Sequence, residues 1–293
     1  MSSARDGLAR SVQVRLARHA RAIGVDPNLV LTRYAVERFL YRLSRSPYAG
    51  QFVLKGALLM LVWLGETLRP TSDADLLGLG DLSDEVLMRV LADVAAIPVE
   101  PDAVAFIADS VRVEPIRLED DYGGRRATIQ ARVGAARLTV QVDIGMGDAV
   151  TPAPEWLEYP GLLDLPRPRL RAYPRETVAA EKLHAIVLFG VRNSRMKDYF
   201  DLHALACEGA VEAIRLSEAI AATFARRRTA VPPGVPPGLG EEFARDGSTQ
   251  AQWKAFLARN RIDAPPLMEV VAKVRDFVLE PLRLARLRTG HAG

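Results

Sequence analysis

The sequence predicts an α+β fold in which a mixed β-sheet lies between N-terminal helices and a C-terminal helical region. Residues 50 to about 150 contain short apolar and alternating runs that are typical of strands. Residues 8–46 and 166–293 instead favour helices, interrupted by a Pro/Gly loop at 231–238. We therefore expect two domains: residues 1–165 would hold the N-terminal helices and the sheet-bearing core, and residues 166–293 would form the C-terminal helical domain.

The first region has an apolar stripe at roughly helical spacing, which predicts a helix packed along one side. Its apolar members are Leu29, Val36, Phe39, Leu40 and Leu43. Four charged residues lie off this stripe, namely Glu37, Arg38, Arg42 and Arg45.

The core begins with a predicted strand, a glycine turn and a buried helix, at residues 52–54, Gly56 and 58–64. The next predicted strand, residues 71–77, contains Asp73 and Asp75, which alternation places on one face. Two neighbouring carboxylates repel each other, and a cation between them removes that repulsion. Hard cations such as Mg²⁺ prefer oxygen ligands, usually together with substrate phosphates. The alternative interpretation is a solvated acidic pair at a strand end.

A hairpin is predicted from two alternating runs, residues 127–133 and 138–144, which are joined by a loop at 134–136. Asp143 is the lone acid on the polar face of the second run. Given the two upstream aspartates, we interpret Asp143 as a third metal-binding carboxylate rather than a solvated strand residue. A helix is also predicted after Ser83, which is a suitable N-cap.

A second cluster of charged residues lies in the helical half. Lys182 is in mid-helix among apolar residues, where a lysine is costly unless its ammonium reaches an anion. On the next predicted helix Asp198 and Asp201 share a face, and Lys197 is four residues from Asp201. We interpret Lys182 as an active-site cation held by Asp201, and we expect Lys182→Ala to leave the fold intact. The alternative is two amphipathic helices with surface ion pairs.

Composition is that of a globular protein with a mildly basic balance, since the net charge is +3 and the pI about 9.1. This balance is compatible with a nucleic-acid partner, and the candidate basic surfaces are residues 226–228 and 283–288. Cys207 is the only cysteine, which excludes an intrachain disulfide. The sequence shows no signal-peptide pattern and no apolar run long enough to span a bilayer, so we expect a cytoplasmic, reduced protein.

Together these motifs resemble the AbiEii/AbiGii-type nucleotidyltransferase toxins of bacterial abortive-infection systems. These are type IV toxin–antitoxin systems, and the toxins have a core like that of DNA polymerase β. The matching segments are residues 34–43, 52–56, 69–77, 180–183 and 193–202. The resemblance implies that the sheet-bearing part of residues 1–165 is a polymerase β-like nucleotidyltransferase core.

The resemblance also implies roles for individual residues. Gly56 would form the triphosphate turn, Asp73 and Asp75 would bind the metals with Asp143, Lys182 would contact the nucleotide phosphates, and Asp201 would be the fourth essential residue. Further candidates for nucleotide contact are Lys55, Ala57, Arg69, Arg195, Lys197 and Asp198. The chain departs from the family at Ala57, where Gly or Ser is usual. A hydroxyl contact to phosphate is therefore absent, although backbone N–H groups at a helix start can still bind an anion.

The implied activity is Mg²⁺-dependent transfer of a nucleoside monophosphate from an NTP, with Mn²⁺ as an alternative metal. The implied acceptor is the 3′ end of tRNA, whose modification would block translation. The implied partner is a cognate AbiEi-like antitoxin encoded nearby, and no membrane is involved. Two alternatives stay open: the same core could modify a protein or a small molecule, or the chain could be a non-catalytic homologue that binds nucleotide or a partner.

Overall fold

The computed structural model describes residues 2–65, 71–116 and 124–290, so the predicted nucleotide contact Arg69 lies outside the described residues. Within these ranges the chain divides into two compact units. The first comprises residues 2–65, 71–147 and 155–172, and the second comprises residues 148–154 and 173–290. None of the helices in the described ranges has the length and apolarity that crossing a membrane requires.

The helices of the first unit are α1 (Ser2–Ala22), α2 (Pro27–Arg45), α3 (Ala57–Leu64) and α4 (Asp84–Ala96). The region predicted as helical at residues 8–46 is interrupted because Gly24 has φ of +72°. Asp26 then caps the start of α2, and its carboxylate accepts a hydrogen bond from Asn28 N at 2.7 Å. Helix α4 begins after Ser83, as predicted, with Ser83 Oγ accepting from Val86 N.

One seven-stranded sheet forms the rest of the first unit. Its strands are β1 (Phe52–Lys55), β2 (Asp73–Gly78), β3 (Val104–Pro115), β4 (Arg125–Val133), β5 (Ala136–Met146), β6 (Glu155–Glu158) and β7 (Arg169–Ala172). Their order is β3-β4-β5-β2-β1-β7-β6, in which β2–β5 and β1–β7 are parallel and the other pairs antiparallel. The predicted mixed sheet and the β4–β5 hairpin are therefore confirmed.

Helix α2 is buried on most of its surface, including charged residues that the apolar stripe leaves out. Glu37 and Arg38 are each 1% exposed and Arg42 is 6% exposed. Asp102 accepts hydrogen bonds from Arg38 Nε at 3.2 Å and from Arg42 Nη1 at 2.7 Å. Glu37 accepts from Leu162 N at 2.8 Å, although burial raises the pKa of Glu37 overall. These bonds offset the cost of taking the charges out of water.

The second unit is helical in its described residues, as predicted for the C-terminal region. Its helices are α5 (Arg175–Phe189), α6 (Met196–Glu208), α7 (Ala213–Arg226), α8 (Glu241–Arg245), α9 (Gly247–Asn260) and α10 (Leu267–Gly290). Three aromatic rings join α6 to α9: Phe256 has its ring centroid 5.9 Å from that of Phe200 and 5.6 Å from that of Trp253. This packing fixes α9 beside the start of α6.

Candidate functional site

Four charged residues form a row across the sheet of the first unit. Lys55 is the register partner of Asp75, Asp75 of Asp143, and Asp143 of Arg126. Register partners point to the same face of a sheet, so the row has cations at its ends and two carboxylates in its centre. Asp73 lies on the same face, two residues before Asp75 on β2. The structure therefore brings the three predicted acids to one face.

Arg126 holds the carboxylate of Asp143 with two hydrogen bonds. Its Nε donates to Oδ1 at 2.9 Å and its Nη2 donates to Oδ2 at 2.7 Å, and Gln141 Nε2 donates to Oδ1 at 3.2 Å. The bond to Asp143 raises the pKa of Arg126. This cation offsets the repulsion between neighbouring carboxylates. Arg126 was not among the residues predicted from the sequence, although the alternation of β4 and a two-residue turn place it opposite Asp143.

Gly56 brings the backbone against the carboxylate of Asp75. Its φ of +74° and ψ of −154° are available to glycine and strained for other residues. A Cβ at this position would lie 2.0 Å from Asp75 Oδ2. Helix α3 starts directly afterwards at the buried Ala57. The first N–H groups of a helix lack intrahelical acceptors, so this turn is a suitable place for an anion.

The donors at Asp73 and Asp75 fit a hard divalent cation. Mg²⁺ is usually bound by one or two carboxylates together with phosphates and water. Both aspartates are half-buried on one face, and Thr71 Oγ1 orients Asp73 through a hydrogen bond of 3.0 Å. Within the described ranges, no three His, Cys, Asp or Glu side chains are arranged to hold a metal. Asp143 is bound by Arg126, and its role as a metal ligand stays a prediction.

Lys182 in the second unit is bonded to two buried carboxylates. Its Nζ lies 2.7 Å from Asp201 Oδ2 and 3.2 Å from Asp198 Oδ1, and Arg195 Nε lies 2.7 Å from Asp198 Oδ2. The expected contact between Lys182 and Asp201 is therefore present. Burial raises the pKa of Asp198, but the charges of Lys182 and Arg195 outweigh it and hold that pKa below its usual value. The two cations and two anions neutralise each other.

An open groove of about 620 Å³ lies between the start of α6 and α9. Its lining combines cations, amides and an aromatic ring: Ser194, Arg195, Met196, Lys197, Gln252, Ala255, Phe256, Arg259 and Asn260. Lys197 is exposed and lines this groove, whereas Asp201 is fully buried against Lys182. The predicted nucleotide contacts Arg195 and Lys197 therefore lie together, and Arg195 also bonds Asp198.

The two basic surfaces predicted for RNA are partly neutralised by ion pairs. Arg227 lies 3.4 Å from Asp148 and 3.3 Å from Glu181. In the C-terminal run, Arg283 pairs with Glu280 at 2.7 Å and Arg288 with Glu218 at 3.1 Å. These arginines are therefore weaker candidates for a phosphate backbone than their sequence clustering suggested.

Comparison with known proteins assigns the chain to a family. Residues 38–278 match the model described as the nucleotidyl transferase AbiEii toxin of type IV toxin–antitoxin systems. The crystal structure of JHP933 from Helicobacter pylori is 15% identical, with a TM-score of 0.52 over 91% of this chain and 97% of that one. This likeness shows a shared fold.

A second Helicobacter pylori crystal structure, provisionally described as that of a nucleotidyltransferase, is 16% identical with a TM-score of 0.49. The match covers 92% of this chain and 99% of that one. No curated protein sequence matches at a significant level. Because the family model covers most of the chain, this protein belongs to the AbiEii nucleotidyltransferase toxin family of type IV toxin–antitoxin systems.

Proposed function

We propose that this protein transfers a nucleoside monophosphate from an NTP to the 3′ acceptor end of tRNA and thereby blocks translation. The observation that supports this proposal most strongly is the placement of Asp73, Asp75 and Asp143 on one face, beside the glycine turn at Gly56. Family membership supports nucleotidyl transfer as the reaction class. The acceptor is proposed from the resemblance to related toxins.

The reaction replaces one phosphorus–oxygen bond with another. An acceptor hydroxyl oxygen bonds to the α-phosphorus, the bond to the bridging oxygen breaks, and pyrophosphate leaves. A bound Mg²⁺ or Mn²⁺ would stabilise the negative charge on the phosphates. Asp73 and Asp75 would hold this metal, and the α3 N-terminus after Gly56 would hold a phosphate oxygen.

Asp143 would take the proton of the attacking hydroxyl or complete the metal ligands. Arg126 donates one hydrogen bond to each oxygen, and Oδ2 keeps a lone pair that either role would use. Arg126 is therefore a positioning residue, which keeps Asp143 ordered before substrate binds. Lys55, at the other end of the charged row, is a candidate phosphate contact.

Lys182 would neutralise phosphate charge, as the family resemblance implies. Its ammonium is fixed by Asp198 and Asp201, so little side-chain entropy is left to lose on binding. Arg195 and Lys197 would add contacts from the groove, and Asp198 would orient Arg195.

The direct test is to incubate the pure protein with Mg²⁺, each labelled NTP in turn and total tRNA. Label on tRNA 3′ ends is the expected result, and an Asp75→Asn variant should lose it. Label on a protein or on a small molecule would mean that the acceptor is not tRNA, while the reaction would still be nucleotidyl transfer. Absence of label on every acceptor, while NTP still binds, would indicate a non-catalytic homologue.

We further propose that the protein is a toxin with a neutralising antitoxin encoded nearby. Expression in a bacterial host should arrest growth, and tRNA 3′-end sequencing should show added nucleotides. Glu212, the exposed N-cap residue of α7, provides a control. Glu212→Ala should arrest growth as the parent does. Arrest with unmodified tRNA ends would contradict RNA modification as its cause.

A further inference from the structure

The polar face of the β4–β5 hairpin leads from the acidic residues to a pair of arginines. Its register partners, from the acid end to the turn, are Arg126 with Asp143, Thr128 with Gln141, Gln130 with Thr139, and Arg132 with Arg137. The opposite face of both strands is buried core. Side chains towards the turn are exposed, so this face has one continuous line of cations, amides and hydroxyls.

Arg132 and Arg137 are like charges placed directly opposite each other. Such cross-strand pairs destabilise a sheet unless an anion compensates them. Both side chains are exposed, and neither forms an ion pair with any residue in the described part of the chain. Arg126, by contrast, lies opposite an acid and is bonded to it. The arginine pair at the turn is therefore available to an external anion.

The chemistry of this line fits a single strand of RNA. A guanidinium matches a phosphate with two parallel hydrogen bonds. Amide and hydroxyl side chains, such as Gln130 and Thr139, can hydrogen-bond to base edges and to ribose hydroxyls. Neither β4 nor β5 has an acid on this face between Asp143 and the turn.

The length of the polar face of the hairpin, from Asp143 to the arginine pair, determines how many nucleotides it can bind. Arg137 precedes Asp143 by six positions on β5, which corresponds to about 20 Å at the usual rise of a strand. A stacked single strand rises about 3.4 Å per phosphate, so about six nucleotides span this distance.

We propose that the polar face of the β4–β5 hairpin binds the single-stranded 3′ end of the acceptor RNA, with Arg132 and Arg137 holding a phosphate about six nucleotides from the reacting hydroxyl. This inference rests on the proposed function, because the 3′ hydroxyl has to meet the acids at the other end of the line. Arg132 and Arg137 are binding residues in this account and take no part in the chemistry.

The test compares two double variants of the full chain. Arg132→Ala/Arg137→Ala removes the pair on the hairpin. Arg10→Ala/Arg21→Ala removes the same charge from α1 of the same unit, where both arginines are exposed and form no ion pair with described residues. Fluorescence anisotropy measures binding of labelled RNA oligonucleotides of about ten and about three nucleotides, chosen to exceed and to fall short of the span.

We expect the hairpin variant to bind the long oligonucleotide roughly tenfold more weakly at low salt. The slope of log Kd against log salt concentration should fall by about 0.7, since the pair holds one phosphate and each single-strand phosphate contact contributes about 0.7. Its affinity for the short oligonucleotide should equal that of the parent, and so should its melting temperature. The α1 variant should keep the parental affinity for both oligonucleotides.

Equal weakening by the two double variants would mean that overall charge governs binding, and it would overturn the proposal. So would competition by poly-glutamate as strong as that by RNA, because the face would then recognise an acidic polypeptide. If label is transferred to RNA but the hairpin variant matches the parent in binding, the proposed function stands and this inference fails. Selective loss of RNA binding without transfer of any label would support the surface and refute the proposed reaction.

Discussion

Asp75 on β2 and Asp143 on β5 are register partners in a parallel strand pair, so two like charges lie side by side on one face of the sheet. Lys55 and Arg126 lie at the two ends of the same row, and Arg126 bonds both oxygens of Asp143. A fold that keeps adjacent carboxylates in this way bears an electrostatic cost, which a bound cation would lower.

Gly56→Ala should abolish most of the activity, because the added Cβ would lie 2.0 Å from Asp75 Oδ2 and displace that carboxylate. Gly65→Ala is the matched control: Gly65 has a similar φ of +81°, but a Cβ there meets no atom of the described residues within 4 Å. Both changes should lower the free energy of unfolding by about 1–2 kcal/mol through backbone strain. Only Gly56→Ala should lose transfer, and equal transfer rates in the two variants would show that the close contact has no functional consequence.

Lys182→Ala should destabilise the protein, which differs from the expectation drawn from the sequence. The substitution leaves the carboxylates of Asp198 and Asp201, 2% and 0% exposed, without their shared ammonium. Breaking a buried pair in this way costs about 3–5 kcal/mol. Denaturant unfolding measures the loss, and the exposed neighbour substitution Lys197→Ala should stay within about 0.5 kcal/mol of the parent.

The double variant Lys182→Ala/Asp201→Asn tests the cause of that loss. It removes one carboxylate together with the ammonium, so it should be more stable than the sum of the two single changes predicts. If the change in unfolding free energy of the double variant equals the sum of the changes in the two single variants, Lys182 and Asp201 do not stabilise each other.

Asp198 should contribute to acid sensitivity. Its pKa in the folded protein lies below the usual value of 3.8, because Lys182 and Arg195 outweigh the effect of burial. The unfolded state therefore binds the proton more tightly. The stabilisation is complete above about pH 4 and is lost as pH falls through the lower, folded-state pKa, with a slope of at most about 1.4 kcal/mol per pH unit.

Urea unfolding between about pH 2 and pH 6 checks this expectation. The quantity compared is the slope of the unfolding free energy against pH, not its absolute value. Asp198→Asn should give a shallower decline below pH 4 than the parent. Asp246, whose hydrogen bonds to Ser248 and Thr249 lower its pKa to about 2, contributes to the decline in both proteins, so the difference isolates Asp198. Parallel curves would contradict the role assigned to the Lys182 ion pairs.

Asp102→Asn should be among the most destabilising substitutions of a buried residue in the first unit. Its carboxylate accepts from both Arg38 and Arg42, which are 1% and 6% exposed. Removing the anion that these two buried guanidinium groups share should cost about 3–5 kcal/mol, although Arg38 keeps Glu37 at 3.4 Å. Asp93→Asn is the control, since exposed Asp93 accepts one hydrogen bond from Tyr48, and thermal melting should separate the two variants clearly.

The sheet around the acids could be predicted because its strands follow simple rules. Period-2 alternation located β4 and β5, and the same alternation placed Asp143 on the polar face. The glycine between β1 and α3 marked a turn, which the structure shows with a positive φ at Gly56. These features are local, so one sequence contains enough information to identify them.

Other features depend on partners that are distant in sequence. Arg38 and Arg42 look like members of a solvated helix face until Asp102, some sixty residues later, is placed beside them. The clustered arginines at 226–228 suggested a basic surface, but Arg227 pairs with Asp148 and Glu181. Side-chain charge in a sequence shows where a cation is, and only the fold shows whether it is neutralised.

The central claim is that Asp73 and Asp75 support nucleotidyl transfer. Its most direct test is the single-turnover rate of label transfer from NTP to RNA, compared between the parent and Asp73→Asn. Asparagine preserves the shape of the side chain and can still accept the hydrogen bond from Thr71, so the melting temperature should be unchanged. We expect the rate to fall by at least about 100-fold, because removing one electrostatic contribution to the transition state usually has an effect of this size. A rate within a few-fold of the parent would contradict the account.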